Sequence, residues 1–395
     1  MPQIRPQDLI RAVENDELEF WYQPKVSFLT GRVSGCEALI RWRQPDGSVL
    51  LPGSFLPQAE EAGLVTEIAK HMFSKLCLDQ RKLVDAFGAF HVAFNVTADD
   101  LENPDMVALI LSAVHSGLVQ ANQIQVELTE TAVAQNAETL QASIEALVEA
   151  GVALAMDDFG TGYSSLDTLH RLPFSVVKID REVINGLTHS GRCAAIALAS
   201  IRMAHEMDLK VVAEGVETEE VFEYLLHAGC TEAQGFWISE PLPLDELIGF
   251  VAQGRRWCSM PIGLLRHVEI DHIRWRKAVM DRVLGVKSSG LVGSLDAVGI
   301  SPYRCRFGQW FYGIGRDFVG KPGFDALEEP HRKLHQVGAR LLQASSEGVP
   351  DYAIRSMTAE LNYCSEELLR LLQDLEIDAL LTDCQAPLKR ASESR

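Results

Sequence analysis

Two hydrophobic periodicities alternate along the first two-thirds of the chain. Short apolar runs occur at 19–26, 32–40, 91–96, 123–128, 151–156, 175–179, 209–213 and 233–237. Between most of them, apolar positions recur at helical spacing, over 56–82, 104–115, 137–150, 192–207 and 218–228. Short runs separated by helical segments predict parallel strands linked by crossover helices. Eight such runs predict an α/β fold, a (β/α)8 barrel of the TIM type. Only the Thr30-Gly31 turn separates the first two runs, too little for a crossover, so that pair is expected to be antiparallel. Gly229 follows the last helical segment, where a left-handed residue commonly ends a helix.

The polar residues that interrupt this pattern sit at strand ends. They are Glu37, Asn95, Glu127 with Glu130, Asp157 with Asp158, Lys178 with Asp180, Glu214 with Glu217, and Gln234. Singly, each has an ordinary explanation, such as a turn cap for Asn95, a helix start for Glu130 or an edge residue for Lys178. Together they mark the C-terminal mouth of a barrel, where such folds carry their active sites. Carboxylates and an amide oxygen converging from separate strands suit hard divalent cations, Mg²⁺ or Mn²⁺. So many acids suggest two ions, an arrangement that activates water against a phosphodiester. Asp157 and Asp158 are adjacent, and neighbouring strand residues face opposite ways. For both to serve one pocket, the strand is expected to end between them, with Gly160 and Gly162 turning the backbone.

Composition narrows the ligand. The formal charge of −19 argues against non-specific contact with nucleic acid or an anionic membrane. A bound metal can still reverse the local field for an anionic small molecule. No signal peptide or spanning segment is evident, and the eight cysteines are scattered without a Cys-x-x-Cys pair. A cytoplasmic protein with reduced thiols is expected.

The same residues carry a family resemblance. Cys36-Glu37-Ala38-Leu39-Ile40-Arg41-Trp42 resembles the signature of EAL-domain cyclic-di-GMP phosphodiesterases. Tyr22-Gln23-Pro24-Lys25-Val26 precedes it, and Phe55-Leu56-Pro57 through Gly63-Leu64 follows. Phe94-Asn95-Val96-Thr97, Glu127-Leu128-Thr129-Glu130 and the Asp157-to-Leu166 stretch come next in family order. Val177-Lys178-Ile179-Asp180, Ala213-Glu214-Gly215-Val216-Glu217-Thr218 and Gln234-Gly235-Phe236 complete the set. The resemblance implies Glu37, Asn95, Glu127 and Asp157 as ligands of one ion. Asp158 and Glu214 would serve a second, with Asp157 a candidate bridge. It further implies that Lys178 holds or polarises the attacking water, and that Asp180 and Glu217 orient the groups around it. Gln234 would bind water or ligand near the second ion. Glu130 would anchor the 157–166 loop, which in the family reports ligand binding to a dimer interface. Gln23, Leu39 and Arg41 would contact the dinucleotide. Departures are small: Val96-Thr97, Phe236-Trp237 and Ser239-Glu240 replace commoner residues, and no implied metal ligand is lost.

Beyond Gly254-Arg255-Arg256 the pattern turns wholly helical, over 264–286, 328–343 and 351–375. His331 and His335 lie one helical turn apart, a common zinc spacing. With His272 and Cys305 they resemble the chemoreceptor zinc-binding domain, through His-x-x-Trp, Cys-x-x-Gly-x-Trp and His-x-x-x-His elements. That resemblance implies an all-α bundle whose core holds one Zn²⁺ on three histidines and a thiolate. His267, five residues before His272, points elsewhere on its helix and is left out. The expected organisation is a barrel over 1–256, a linker over 257–263, the bundle over 264–378 and a disordered tail over 379–395.

The expected function is hydrolysis of cyclic-di-GMP to linear pGpG by a homodimer, regulated by zinc in the bundle, with Cys305 a candidate redox sensor. Two other readings share these residues: a barrel that binds cyclic-di-GMP without cutting it, and an active enzyme whose zinc bundle is only a dimerisation element.

Overall fold

The computed structural model describes residues 4–133, 138–160, 165–257, 262–284, 301–313, 315–316, 319–320 and 323–393. The chain divides into two compact units, Met1–Ser27 with Arg32–Arg255, and Phe28–Gly31 with Arg256–Arg395.

In the first unit β1 (Leu18–Ser27) and β2 (Val33–Arg43) pair antiparallel, and the two-residue β3 (Val49–Leu50) extends the edge of β2. Five parallel strands follow β2 around the sheet: β4 (His91–Asn95), β5 (Ile124–Thr129), β6 (Ala153–Phe159), β7 (Val176–Ile179) and β8 (Lys210–Ala213). β9 (Glu232–Gln234) pairs parallel with β8 and antiparallel with β1, which closes an eight-stranded mixed barrel. β10 (Leu242–Pro243) adds a short antiparallel pairing on β1. The predicted α/β barrel and its antiparallel first pair are both present.

Local chemistry sets the crossover helices. Asn103 caps the Pro104–His115 helix by accepting from the amides of Asp105 and Met106, and Pro104 stands where a helix has no use for an N–H. Thr218 caps Glu219–Ala228, and Gly229 ends it at φ 84, a left-handed conformation that glycine adopts without steric cost. The segment predicted as one helix over 56–82 is two, Leu56–Glu61 and Val65–Phe87, because the chain turns at Gly63 with φ 66.

Side-chain alternation carries the core up to the mouth. Ala155, Val176 and Val212 form a buried layer from three adjacent strands. Two residues on, and hence on the same inner face, stand Asp157, Lys178 and Glu214.

The second unit is helical: Ile262–Val283, Arg306–Tyr312, Glu328–Ser346 and Asp351–Glu393. The last helix extends through much of 379–395, where a disordered tail was expected. Its core gathers Trp275, Phe307, Trp310, Leu334, Leu341 and Leu368. A Cβ on Gly338 would lie 2.2 Å from the outermost carbon of the Trp275 ring, so glycine there leaves room for the edge of the indole against the Glu328–Ser346 helix. Among the described residues, no helix is long and apolar enough to cross a membrane.

Candidate active site and metal centre

At the barrel mouth the acids meet around a single ammonium. Lys178 Nζ, almost wholly buried, lies 2.5 Å from Glu127, 2.6 Å from Glu214, 3.1 Å from Asp157 and 3.6 Å from Glu37. These four carboxylates come from β5, the end of β8, β6 and β2, so residues far apart in the chain share one spot. Asn95 Nδ2 donates to Glu37 Oε1 at 2.7 Å, and Gln234 Nε2 donates to Glu37 Oε2 at 2.6 Å and to Gln23 Oε1 at 2.9 Å. Register explains the grouping. Gln23 sits opposite Glu37, Lys25 opposite Gln234, Asn95 level with Glu127, and Thr129 level with Asp157.

β6 does not stop between the aspartates. It runs on to Phe159, with a register break between Met156 and Phe159 and with Asp158 at φ 58. This bulge, not a strand end, re-aims consecutive residues. The Asp158 amide donates to Asp157 Oδ1 at 2.9 Å, and repulsion from Asp180 adds to burial in raising the Asp158 carboxyl. Left-handed backbone at a non-glycine residue is uncommon, and its place at a carboxylate cluster fits a functional constraint. The predicted role of the 157–166 loop falls partly on Thr161–Ser164, outside the described residues.

Of the remaining predicted residues, Glu130 is buried. Asp180 accepts from the Glu182 amide at 2.7 Å and caps the Arg181–Asn185 helix, and Glu217 accepts from Asn185 at 3.5 Å. Leu39 lines the pocket with Glu37, Asp157, Lys178, Glu214 and Gln234. Arg41 rests 5.8 Å from the Trp21 ring centroid and donates to the Ile40 carbonyl, while its buried Nε has no partner.

Sequence reasoning missed Lys25 and Gln125. Lys25 Nζ and Gln125 Nε2 each donate to Glu127 Oε1 at 2.8 Å, so Lys178 meets only Oε2. Both lie two residues from a predicted site residue on the same strand, and period-two alternation alone would have flagged them.

The charge balance at the mouth fits cations. Burial would raise Glu127, but the Lys178 and Lys25 ammoniums pull it down to about 2. Burial pushes Glu214 up to about 8 despite Lys178, with Asp157, Glu37 and Glu127 adding repulsion. Burial also raises Asp157. Glu37, Glu127, Asp157, Asp158 and Glu214 outnumber Lys25 and Lys178, so ionising every acid here calls for further positive charge. Clustered carboxylate and amide oxygens are the donor set of a hard divalent ion.

In the second unit, one ligand atom from each of His272, Cys305, His331 and His335 lies within 4.8 Å of the other three. His272 Nδ1 lies 2.8 Å from the Val268 carbonyl, which can only accept. The proton is therefore on Nδ1, and the buried Nε2, without a partner, presents a lone pair. Cys305 Sγ lies 3.2 Å from His331 Nε2 and accepts from the Gly308 amide at 3.2 Å. Burial lowers His272 to about 4; burial and the two neighbouring imidazoles lower His331 to about 2. Neutral imidazoles and one sulfur in a tetrahedral-sized cluster fit Zn²⁺. Burial, with repulsion from Asp271 added, raises the Cys305 thiol to about 11, so a cation is what would hold it as thiolate.

These buried imidazoles predict acid sensitivity in chelator-treated protein. The unfolded chain protonates histidine near 6.5, whereas folded His272 stays neutral to about 4. Below 6.5 the unfolded state therefore binds more protons. Stability should fall by about 1.4 kcal/mol per pH unit for each such histidine, with the His272 share ending near its folded value. Thermal unfolding of the full chain in chelator at several pH values between 7.5 and 4 measures this; a bundle transition that stays level would contradict neutral burial.

Comparison with known proteins agrees with this geometry. The EAL domain family matches residues 7–241, and the chemoreceptor zinc-binding domain family matches residues 272–342. The bifunctional diguanylate cyclase/cyclic di-GMP phosphodiesterase MucR of Pseudomonas aeruginosa is 38% identical over 246 residues, which is 62% of this chain and 36% of that protein. The cyclic di-GMP phosphodiesterase NbdA of the same organism is 37% identical over 257 residues, 65% of this chain and 33% of that protein. The chain thus spans about a third of the length of these relatives. Among solved structures, the MucR phosphodiesterase in complex with c-di-GMP superposes with a TM-score of 0.58 at 38% identity, covering 61% of this chain and 98% of that one. The EAL enzyme Bd1971 with cAMP and cyclic-di-GMP bound gives 0.59 at 27% identity, covering 62% and 67%.

Proposed function

The chain belongs to the EAL-domain family, and from that premise we propose that its barrel hydrolyses cyclic-di-GMP to linear pGpG. The observation that carries this reading is the convergence of Glu37, Glu127, Asp157 and Glu214 on one buried point. Glu37, Asn95, Glu127 and Asp157 would hold one divalent ion, and Asp157, Asp158 and Glu214 a second. Two such ions, Mg²⁺ or Mn²⁺, supply an acidified water and positive charge for the phosphate oxygens.

The chain's own groups do the rest. Gln234 and Asn95 fix both oxygens of Glu37, and Lys25 with Gln125 fixes one oxygen of Glu127. Lys178, placed among the acids, orients the water that attacks phosphorus in line, and the 3′ oxygen leaves. Asp180 and Glu217 set the helix and loop that flank these groups, and Glu130 anchors the loop after β6. Gln23, Leu39, Arg41 and Gln234 meet the dinucleotide.

The second unit takes one Zn²⁺ on His272, Cys305, His331 and His335. Three of these four side chains are buried and Cys305 is half-buried, which supports a metal held for regulation, not for turnover, in what this reading takes to be a homodimeric enzyme. The test uses the full chain with cyclic-di-GMP and Mg²⁺ or Mn²⁺, with product separated by chromatography, across a zinc titration and with a zinc chelator. pGpG whose rate changes with zinc is expected. Tight binding without product would make the barrel a receptor, and a rate indifferent to zinc would leave the bundle a structural element.

A further inference from the structure

The pocket at the mouth contains one cation that neither the metal set nor the ligand set uses. Arg181 lies two residues past the end of β7, at the start of the Arg181–Asn185 helix, and lines the pocket with Lys178, Glu214, Gly215, Glu217 and Phe236. Unlike Lys178, it is exposed, and among the described residues its guanidinium has no hydrogen bond or ion pair.

Its stem is nevertheless held. A Cβ on Gly215 would lie 2.2 Å from Arg181 Cγ, 2.9 Å from Cβ and 3.0 Å from Cδ. Gly215 already needs glycine for its φ of 69, and the bare Cα additionally makes a notch for the arginine stem. The stem is thus seated across the loop after β8, and the charged end stays in the opening.

The position of Arg181 around the ring is informative. Following the closed strand order, β4, β5 and β6 separate β2 from β7 in one direction, and β1, β9 and β8 in the other. Arg41 on β2 and Arg181 just beyond β7 therefore stand on opposite sides of the mouth, with the carboxylates between them. Arg41 also keeps a buried Nε without a partner. A cyclic dinucleotide carries two phosphodiesters on opposite sides of its ring. Guanidinium matches phosphate oxygens in charge and in fork geometry.

We infer that Arg181 is a second phosphate-contacting residue of this site, paired across the mouth with Arg41, so that each phosphodiester of a cyclic dinucleotide meets one guanidinium. This rests on the proposed cyclic-di-GMP reading. It assigns to Arg181 a share of ligand affinity and none of the bond-breaking step.

The test compares the wild-type chain with Arg181→Met and Arg181→Lys in steady-state hydrolysis of cyclic-di-GMP with Mg²⁺, alongside thermal unfolding. Arg181→Met should raise KM by about fivefold, the size expected for one partly exposed charge pair, with kcat within about twofold. Arg181→Lys should fall between the two, and added salt should raise KM more for wild type than for Arg181→Met. Unfolding midpoints should coincide. An Arg181→Met KM equal to wild type overturns the inference. So does an equal KM rise in both variants with lowered midpoints, which would reduce Arg181 to packing on Gly215. If the wild-type chain makes no product, hydrolysis fails while the contact is still decided, by the same fivefold comparison in cyclic-di-GMP binding.

Discussion

Replacing Glu37 with alanine is expected to lower the turnover of cyclic-di-GMP by at least about 10³-fold, several kcal/mol of transition-state stabilisation. Glu37 has no slack to share. One oxygen takes Asn95 at 2.7 Å, the other takes Gln234 at 2.6 Å, and Lys178 stands 3.6 Å away. Alanine removes a proposed metal ligand, takes the acceptor from Asn95 and leaves Gln234 with Gln23 alone. Glu37→Gln separates these effects, because it keeps most of the shape and loses the charge. It should be nearly as inactive as Glu37→Ala but unfold closer to wild type. Product formation by chromatography and a thermal midpoint for each variant measure this. A Glu37→Ala enzyme within tenfold of wild type would mean that the acid cluster does not hold the reacting metals.

The second large effect belongs to the other unit. His331→Ala should weaken zinc binding by at least about 10²-fold, a modest share of the free energy a four-ligand zinc site supplies. His331 occupies the middle of the cluster, with its Nε2 at 3.2 Å from Cys305 and its ring centroid 5.2 Å from that of His272 and 4.8 Å from that of His335. Because a ligand that binds only the folded state raises stability by mass action, wild-type protein should melt higher with stoichiometric zinc, and His331→Ala should not. Competition against a chromogenic zinc chelator gives the affinity directly. Equal affinities would remove His331 from the ligand set and with it the proposed zinc centre.

These expectations draw unequally on sequence and structure. The barrel was legible from periodicity, since short β-rich runs and helical repeats announce themselves within a window of a dozen residues. The mouth was legible too: in such a barrel a strand's last polar residue has only one end of the fold to occupy. Of the four proposed zinc ligands, His331 and His335 were readable for a similar reason, because one turn of helix fixes them on a common face, whereas His272 and Cys305 joined them only through the family resemblance.

What the sequence alone determined, then, is which residue types stand at which end of which element, because backbone geometry repeats every two residues in a strand and every 3.6 in a helix. Tertiary structure alone decided how those ends meet. That Lys25 and Gln125 grip one oxygen of Glu127 depends on the register of strands distant in the chain. Asp158 shares the mouth with Asp157 through a bulge that no alternation rule foretells. Arg181 reaches the opening because Gly215, on the neighbouring strand's loop, leaves its stem a notch. Each depends on distances across the fold, and those are set by closure of the barrel, a property no local window of the chain contains.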